Sequence, residues 1–199
     1  QARTDFITPL LGAFGWDVYD ASGQSSLLRD VVEEATVEVG EKLNKRPDYE
    51  LRLAGQRKFF VEAKKPSVSI ETNKEAAFQV RRYGFSAGFP ISVLTNFHRL
   101  AVYDTTHAPD ANDEANYARL LLVNYDEFEA KFDELWPILS RQSVHSGEFD
   151  KKFAVPAKKG AGEQFDDLFL RQVRSWREIL AKDIQQNTPG LSTAELTYA

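Results

Sequence analysis

The chain of 199 residues contains no cysteine and no methionine, and only three histidines. The absence of cysteine excludes disulfide bonds and thiolate metal sites, and it favours an intracellular setting. The histidines (His98, His107 and His145) are far apart and lack the spacing of metal ligands, which favours surface or loop positions. Because the chain has no methionine, it has no initiator residue, and we expect it to be part of a longer polypeptide.

The chain also lacks a long apolar segment. No run approaches the roughly 20 apolar residues that cross a bilayer, and the N-terminus has no basic-then-apolar signal sequence. Hydrophobic residues make up 42% of the chain and charged residues 28%, which is typical of a globular protein. We therefore expect a cytoplasmic protein with one domain and an appended segment.

The net charge of −5 argues weakly against a nucleic-acid partner, but the charges are unevenly distributed. Acidic residues dominate from 104 to 134, and basic residues dominate from 42 to 65. Phosphate binding depends on the local patch more than on the sum, so this basic patch favours a nucleic-acid ligand. A solvated charged face explains the pattern equally well, and both interpretations stay open. The basic residues of the patch are Lys42, Lys45, Arg46, Arg52, Arg57, Lys58, Lys64 and Lys65.

Residues 47–64 read as two strands joined by a tight turn. Apolar and polar residues alternate over 47–54, as in a half-buried strand. Gly55-Gln56 is a glycine-first pair of the kind that closes hairpins. Residues 59–64 are apolar until a charged end, which is typical of a strand buried on both faces. We therefore predict a β-hairpin with its turn at Gly55-Gln56.

This hairpin gathers charged side chains at one end. Since side chains alternate along a strand, Glu62 and Lys64 lie on the same face, and the hairpin brings Asp48 beside them. Mg²⁺ is usually held by one or two carboxylates together with a substrate phosphate, and it lowers the pKa of a bound water. A neighbouring lysine orients that water or stabilises charge on the phosphate. Such short patterns also occur by chance, so surface charges at strand ends remain an equally good interpretation.

The rest of the chain alternates between helical and extended patterns. Helices are predicted over 4–14, 74–87, 125–139 and 165–184, and strands over the second half of 30–39, over 91–95, 99–103 and 118–123. The segment 40–46 reads as a charged connection. The segment 143–162 is poor in apolar residues and rich in glycine and lysine, which predicts a linker. A capping box from Ser192 to Glu195 begins a further helix. This order predicts an α/β or α+β fold with a central mixed sheet.

Seven short motifs occur along the chain. Their order and context are specific for one protein family, although no single motif is. The motifs are Thr4–Leu11, Phe14–Asp17, Arg46–Tyr49, Phe60–Pro66, Gln79–Tyr83, Val93–Asn96 and Val102–Asp104. With these motifs the chain resembles the PD-(D/E)xK nuclease superfamily over roughly residues 3–140. Within it, the chain is most similar to the N-terminal nuclease domain of large restriction enzymes, of the type I motor-subunit kind and the fused restriction–modification (type IIG-like) kind.

The resemblance implies an α/β, restriction-endonuclease-like fold, with a central mixed β-sheet flanked by helices and a C-terminal helical extension. It implies that Asp48 and Glu62 bind Mg²⁺, which Mn²⁺ can replace, and that the backbone carbonyl of Ala63 is a third ligand. Lys64 would position or polarise the water nucleophile.

The resemblance also implies a role for Gln79 and Tyr83, which are four residues apart on one helix. They would touch DNA or orient Lys64; alternatively, they are a polar pair that fixes the helix against the sheet. The family usually has an acidic residue on the first helix. The candidates here are Asp5, Glu33 and Glu34, and none fits well enough to be chosen.

By this resemblance we expect a nuclease domain over 1–142, a linker over 143–162 and the start of a helical connector over 163–199. The expected substrate is double-stranded DNA in the prokaryotic cytoplasm, with methyltransferase and specificity regions in the same natural chain and a dimer during cleavage. One alternative is a catalytically inactive nuclease-fold module that binds nucleic acid or a partner domain. Another is a hydrolase of other phosphate esters, which the lack of a glycine-rich phosphate loop disfavours.

Overall fold

The computed structural model describes residues 3–34, 37–39, 43–45 and 47–154, together with four positions near the C-terminus. Contacts divide the chain into two compact units, Gln1–Val155 and Pro156–Ala199. In the second unit, Val173, Trp176, Arg177 and Leu180 are helical, as predicted for 165–184. The rest of that helix, the capping box after residue 191 and the linker beyond 154 lie outside the described residues.

The strands of the first unit are β1 (Val31–Glu33), β2 (Val37–Val39), β3 (Leu43–Lys45), β4 (Tyr49–Leu53), β5 (Gln56–Ala63), β6 (Ile91–Thr95), β7 (Arg99–Asp104) and β8 (Arg119–Asn124). Six of them form one mixed sheet, in the order β1-β4-β5-β6-β7-β8. Within this sheet only the β5–β6 pair is parallel, and the other neighbouring strands are antiparallel. The strands β2 and β3 pair with each other. The strand β3 lies in the predicted charged connection 40–46, which is therefore partly a hairpin strand.

The helices of the first unit are mostly short. After a π-helical turn (Arg3–Ile7) they are α1 (Thr8–Ala13), α2 (Lys74–Ala87), α3 (Phe132–Leu139), α4 (Arg141–Ser146) and α5 (Glu148–Lys152), with a 3₁₀ turn at Tyr125–Glu127. The predicted helix over 125–139 is therefore divided in two. None of the helices in the described residues is long and apolar enough to cross a lipid bilayer.

The longest helix among the described residues, α2, has the predicted bounds, and clear signals mark both of its ends. The side chain of Asn73 accepts a hydrogen bond from the backbone N–H of Ala76 at the N-terminus. Gly88 follows the last turn with a φ of 72°, a left-handed conformation that glycine adopts without strain. The helix thus has a fixed length, which determines the residues that it presents to the sheet.

Helices cover both faces of the sheet. Neighbouring residues on β6 and β7 belong to different apolar clusters: Val93 and Val102 to one, Leu94 and Ala101 to the other. The first cluster includes buried residues of α1, α3, α4 and α5, and the second includes those of α2. This alternation is what a strand buried on both sides requires. The predicted α/β fold with a mixed sheet flanked by helices is confirmed.

The hairpin turn is one residue earlier than predicted. Leu53 pairs with Gln56, so Ala54 and Gly55 are the two turn residues. Both have positive φ, 49° and 80°, which is the pattern of a type I′ turn. The predicted turn at Gly55-Gln56 was wrong because Ala54 adopts a left-handed conformation that alanine rarely takes.

The predicted linker begins too early. Residues 143–154 include most of α4 and all of α5, and Val144 and Phe149 are buried. The side chain of Ser140 caps α4 by accepting a hydrogen bond from the N–H of Ser143. Phe149 stacks on Phe59 of β5, with 5.6 Å between ring centroids. The segment was predicted as a linker because it has few apolar residues, but two of them, Val144 and Phe149, are buried in the core.

Candidate active site

The predicted site residues come together at one end of the sheet. Asp48 immediately precedes β4, and Glu62 and Ala63 are the last residues of β5. The backbone N–H of Lys64 donates to the carbonyl of Thr95 at 2.7 Å, which continues the pairing of β5 with β6 by one residue. This extension keeps Lys64 in the strand geometry, so its side chain lies on the same face as Glu62.

Both carboxylate oxygens of Asp48 have partners. Oδ2 accepts a hydrogen bond from the backbone N–H of Ala63 at 2.7 Å, which ties the start of β4 to the end of β5. Oδ1 accepts from Nη1 of Arg3 at 2.6 Å. The Asp48 side chain is 19% exposed, so it stays accessible at the edge of the site.

One hydrogen-bond network joins the other four polar groups. Nζ of Lys64 donates to Oε1 of Glu62 at 2.8 Å and to Oε1 of Gln79 at 2.9 Å. Nε2 of Gln79 donates to the same Glu62 oxygen at 3.1 Å and to the hydroxyl of Tyr83 at 2.7 Å. Because Gln79 and Tyr83 project from one face of α2, the helix holds the lysine and the glutamate in fixed positions.

Gln79 and Tyr83 have different surroundings. The Tyr83 ring is buried against Phe60 and Phe89, which are 4.6 Å apart between centroids. This burial also raises the pKa of the Tyr83 phenol. The ring therefore fixes α2 on the sheet, as one of the two interpretations expects, whereas the amide of Gln79 contacts both charged groups of the site.

Glu62 is the most enclosed charged group of the site. It is 5% exposed, and its Oε2 atom is buried without a hydrogen-bond partner among the described residues. Burial raises the pKa of the carboxyl above its ordinary value, and the nearby Asp48 raises it further, while Lys64 opposes both effects. A buried carboxylate oxygen without a donor is costly unless a cation or a proton satisfies it.

The oxygen atoms of the site suit a hard divalent cation. The orphaned Oε2 of Glu62, Oδ1 of Asp48 and the carbonyl of Ala63 belong to two adjacent strand ends. Nowhere in the described part of the chain do three or more His, Cys, Asp or Glu side chains gather as a metal site. Two carboxylates suffice for Mg²⁺, which keeps several waters and uses substrate phosphate as a ligand. The residues are of the types that the predicted magnesium site requires, and the site itself stays a prediction.

Comparison with known proteins identifies the relatives of this chain. Residues 29–111 match the family described as the N terminus of the type I restriction enzyme R protein. The chain is also 43% identical over 187 residues to the type II restriction enzyme and methyltransferase RM.Eco57I of Escherichia coli. The chain is therefore similar to the N-terminal domains of restriction enzymes. The predicted resemblance to the N-terminal domain of restriction enzymes is confirmed.

The match to RM.Eco57I covers 94% of this chain but only 19% of that protein. The chain thus spans about one fifth of the length of the curated relative. No solved structure matches the chain. The family match includes the segments that carry Asp48, Glu62, Lys64, Gln79 and Tyr83.

Arg3 contacts the site, although no sequence signal indicated it. Its contact with Asp48 spans 45 residues, and no local pattern signals such a pairing. The guanidinium also lies 3.7 Å from a carboxylate oxygen of Glu33 and 3.5 Å from one of Glu34. Two of the candidate acids therefore reach the edge of the site through Arg3, whereas Asp5 is exposed and has no polar contact in the described residues.

The predicted basic patch is largely neutralised within the domain. Arg52 and Arg57 both pair with Glu50, which is 1% exposed. Lys58 is buried and pairs with Asp150 of α5 at 2.9 Å. These three cations hold elements together, and neither of the two interpretations of the patch, a nucleic-acid ligand or a solvated charged face, expected these ion pairs. Of the other members, Lys64 belongs to the site and Lys65 is exposed, while the side chains of Lys42, Lys45 and Arg46 lie outside the described residues.

Proposed function

We propose that this chain is the Mg²⁺-dependent DNA endonuclease domain of a restriction–modification enzyme and hydrolyses phosphodiester bonds. The observation that carries the proposal is the buried, unpartnered Oε2 of Glu62 beside Asp48 and Lys64. An apolar strand end gains nothing in stability from such an oxygen. An unpartnered carboxylate oxygen is useful, however, as a ligand for a cation.

The proposed roles follow from the contacts of each residue. Asp48, Glu62 and the carbonyl of Ala63 would hold the metal. Bound Mg²⁺ would supply charge neutralisation at the attacked phosphate and a lower pKa for water. An ammonium has three N–H donors, and in the described part of the chain Lys64 uses two, on Glu62 and Gln79. We assign the third to the attacking water or to a phosphate oxygen, with Gln79 keeping the lysine in place.

The partners proposed for the domain follow from its relatives. RM.Eco57I is by its name both a restriction enzyme and a methyltransferase, so we propose that methyltransferase and specificity regions follow in the natural chain. Double-stranded DNA would be the substrate, in the prokaryotic cytoplasm. Cutting both strands needs two such sites, so we propose a dimer during cleavage. The helical positions of the second unit are proposed to belong to the connector that leads to the following regions.

The test is cleavage of DNA by the full-length parent enzyme in Mg²⁺ or Mn²⁺. Asp48→Ala and Lys64→Ala are each expected to lower the cleavage rate by about 100-fold or more, because each removes a group that stabilises the transition state. Lys131→Ala is the matched control, since Lys131 pairs only with Glu127 on the surface of the described structure. Cutting that survives both site substitutions would contradict the residue assignment. DNA retention without scission by the unsubstituted enzyme would favour the non-catalytic alternative.

A further inference from the structure

Arg3 occupies the carboxylate oxygen that the proposed metal site needs. Oδ2 of Asp48 is committed to the N–H of Ala63, a contact that holds the two strand ends together. Oδ1 is the remaining oxygen, and Nη1 of Arg3 donates to it at 2.6 Å. Arginine stays protonated at every physiological pH, so its charge cannot be removed to admit a second cation. A metal ion on Oδ1 and the guanidinium in its present position would repel each other at close range.

We propose that Arg3 is a displaceable cation on Asp48: a divalent metal ion takes over Oδ1, and the guanidinium transfers to Glu33 and Glu34. This inference rests on the proposed function, because it assumes that Asp48 is a metal ligand. It makes Arg3 a positioning residue that sets the affinity of the site for metal.

The receiving carboxylates are already close. Oxygens of Glu33 and Glu34 lie 3.7 Å and 3.5 Å from the guanidinium nitrogens, farther than Asp48 but within ion-pair range. The Glu34 N–H donates to the backbone carbonyl of Asp48 at 3.0 Å, and Glu34 has a φ of 52°, which is unusual for a residue other than glycine. The backbone thus keeps this acid next to Asp48. The Arg3 side chain is 34% exposed and its guanidinium lies over the Tyr49 ring, 5.6 Å from the centroid, so a shift has to move only a partly exposed side chain.

A purely structural role for Arg3 predicts the opposite effect on metal binding. If Arg3 only fastens the N-terminal segment to the hairpin, its removal loosens Asp48 and weakens metal binding. If Arg3 competes with the metal for Oδ1, its removal strengthens metal binding. The sign of the change therefore separates the two roles.

The experiment is calorimetric titration of the full chain with Mn²⁺ in the absence of DNA. Arg3→Gln is expected to bind Mn²⁺ about 10-fold more tightly, because a charge-assisted contact no longer has to be broken. Arg3→Lys keeps a cation and is expected to bind as the unsubstituted chain does. Arg29→Gln is the matched control, since Arg29 pairs with Asp20 at 3.0 Å and has no contact with Asp48 among the described residues. It should leave the affinity unchanged.

A second set of variants tests the transfer. Glu33→Gln with Glu34→Gln is expected to weaken Mn²⁺ binding several-fold in the chain with Arg3, and to change nothing in the Arg3→Gln background. Weakening in both backgrounds would mean that these acids attract the metal directly, and would overturn the transfer.

Two outcomes separate failure of the inference from failure of the proposed function. Unchanged or weaker Mn²⁺ binding by folded Arg3→Gln, with binding that Glu62→Gln still abolishes, overturns the role of Arg3 alone. Mn²⁺ binding that neither Glu62→Gln nor Asp48→Asn lowers, or no binding at all, overturns the metal site and the role of Arg3 with it. Folding of each variant is checked by its thermal unfolding transition.

Discussion

At the scale of single residues, the chain keeps a carboxylate where hydration is poor. The strand β5 is buried on both faces almost to its end, and Glu62 stands at the last fully buried position. Lys64 and Gln79 both donate to Oε1, which leaves Oε2 unsatisfied in the described structure. The ionised side chain therefore costs stability, and the raised pKa of Glu62 expresses that cost.

Replacing Glu62 by glutamine is expected to stabilise the domain when no divalent cation is present. The substitution keeps the shape and removes a desolvated charge, so we expect a gain of about 1 kcal/mol, or roughly 2–4 °C in Tm. The measurement is thermal unfolding at pH 7 in a chelating buffer. Asp48→Asn is a useful comparison, because both oxygens of Asp48 accept hydrogen bonds. Loss of the charge on Asp48 weakens these contacts and should lower Tm. A lower Tm for Glu62→Gln would contradict the argument.

The same substitution has a defined pH dependence. A raised folded-state pKa means that the folded protein binds the proton more tightly than the unfolded chain does. This stabilising contribution is complete below the ordinary pKa of 4.5 and is lost as pH rises through the higher folded value. The Tm advantage of Glu62→Gln should therefore be small below that pH, grow as pH rises and then stay constant.

At the scale of elements, a glycine determines how closely α2 approaches the sheet. Gly84 lies in the last turn of α2, and a Cβ placed on it would contact the Ser92 hydroxyl and come within 2.6 Å of Thr105. Thr105 cannot easily give way, because its hydroxyl donates to the carbonyl of Phe89 at 2.7 Å. The helix is therefore held against β6 at a distance that only glycine allows. The same helix presents Gln79 to Lys64, so the spacing matters to the site.

Gly84→Ala is expected to destabilise the domain by about 1–3 kcal/mol, since the added methyl group overpacks the contact. The expected fall in Tm is roughly 5 °C. Gly12→Ala is the matched control: Gly12 is in α1, and a Cβ there has no atom within 4 Å. Alanine should instead raise the stability of that helix by up to about 1 kcal/mol. If both variants changed Tm by the same amount, the close approach of α2 to β6 would not depend on the glycine at position 84.

Sequence reasoning predicted elements best where the signals were local. The helix predicted over 74–87 has the bounds of α2, and alternation along β5 put Glu62 and Lys64 on one face. The turn at Ala54-Gly55 was misplaced, because alanine gives no sign of a positive φ. Local sequence signals predict the geometry of a single helix or strand. They fail where tertiary contacts override the conformational preference of a residue, as at Ala54.

At the scale of the whole molecule, the contacts that sequence reasoning missed are long-range ion pairs. Arg3 reaches Asp48 across 45 residues, and Lys58 reaches Asp150 across 92. A charge pattern alone does not reveal which cation is free and which is paired, so the ion pairs of Arg52, Arg57 and Lys58 could not be predicted. The convergence of Asp48, Glu62 and Lys64 was predictable because one hairpin and its period of two bring them together.

The core of the first unit, as far as the structure describes it, lies within residues 7–149. Among the described residues, every buried hydrophobic side chain lies between Ile7 and Phe149. The last of these, Phe149, contacts Phe59 in the middle of β5, so α5 belongs to the core despite its length of five residues. In the second unit, Trp176 is 51% exposed and Leu180 is 59% exposed.

A fragment that ends at Val155 is therefore expected to fold by itself. Its Tm should lie within roughly 3 °C of that of the full chain, because no described core residue is removed. A fragment that ends at Ser146 is the control: it lacks α5 and the Phe149 ring, whose removal from a packed core costs about 3–5 kcal/mol. We expect this shorter fragment to lose roughly 10 °C in Tm or to remain unfolded. Thermal unfolding followed by circular dichroism measures both. Equal losses for the two fragments would mean that residues 147–155, which include α5, add nothing to the stability of the first unit.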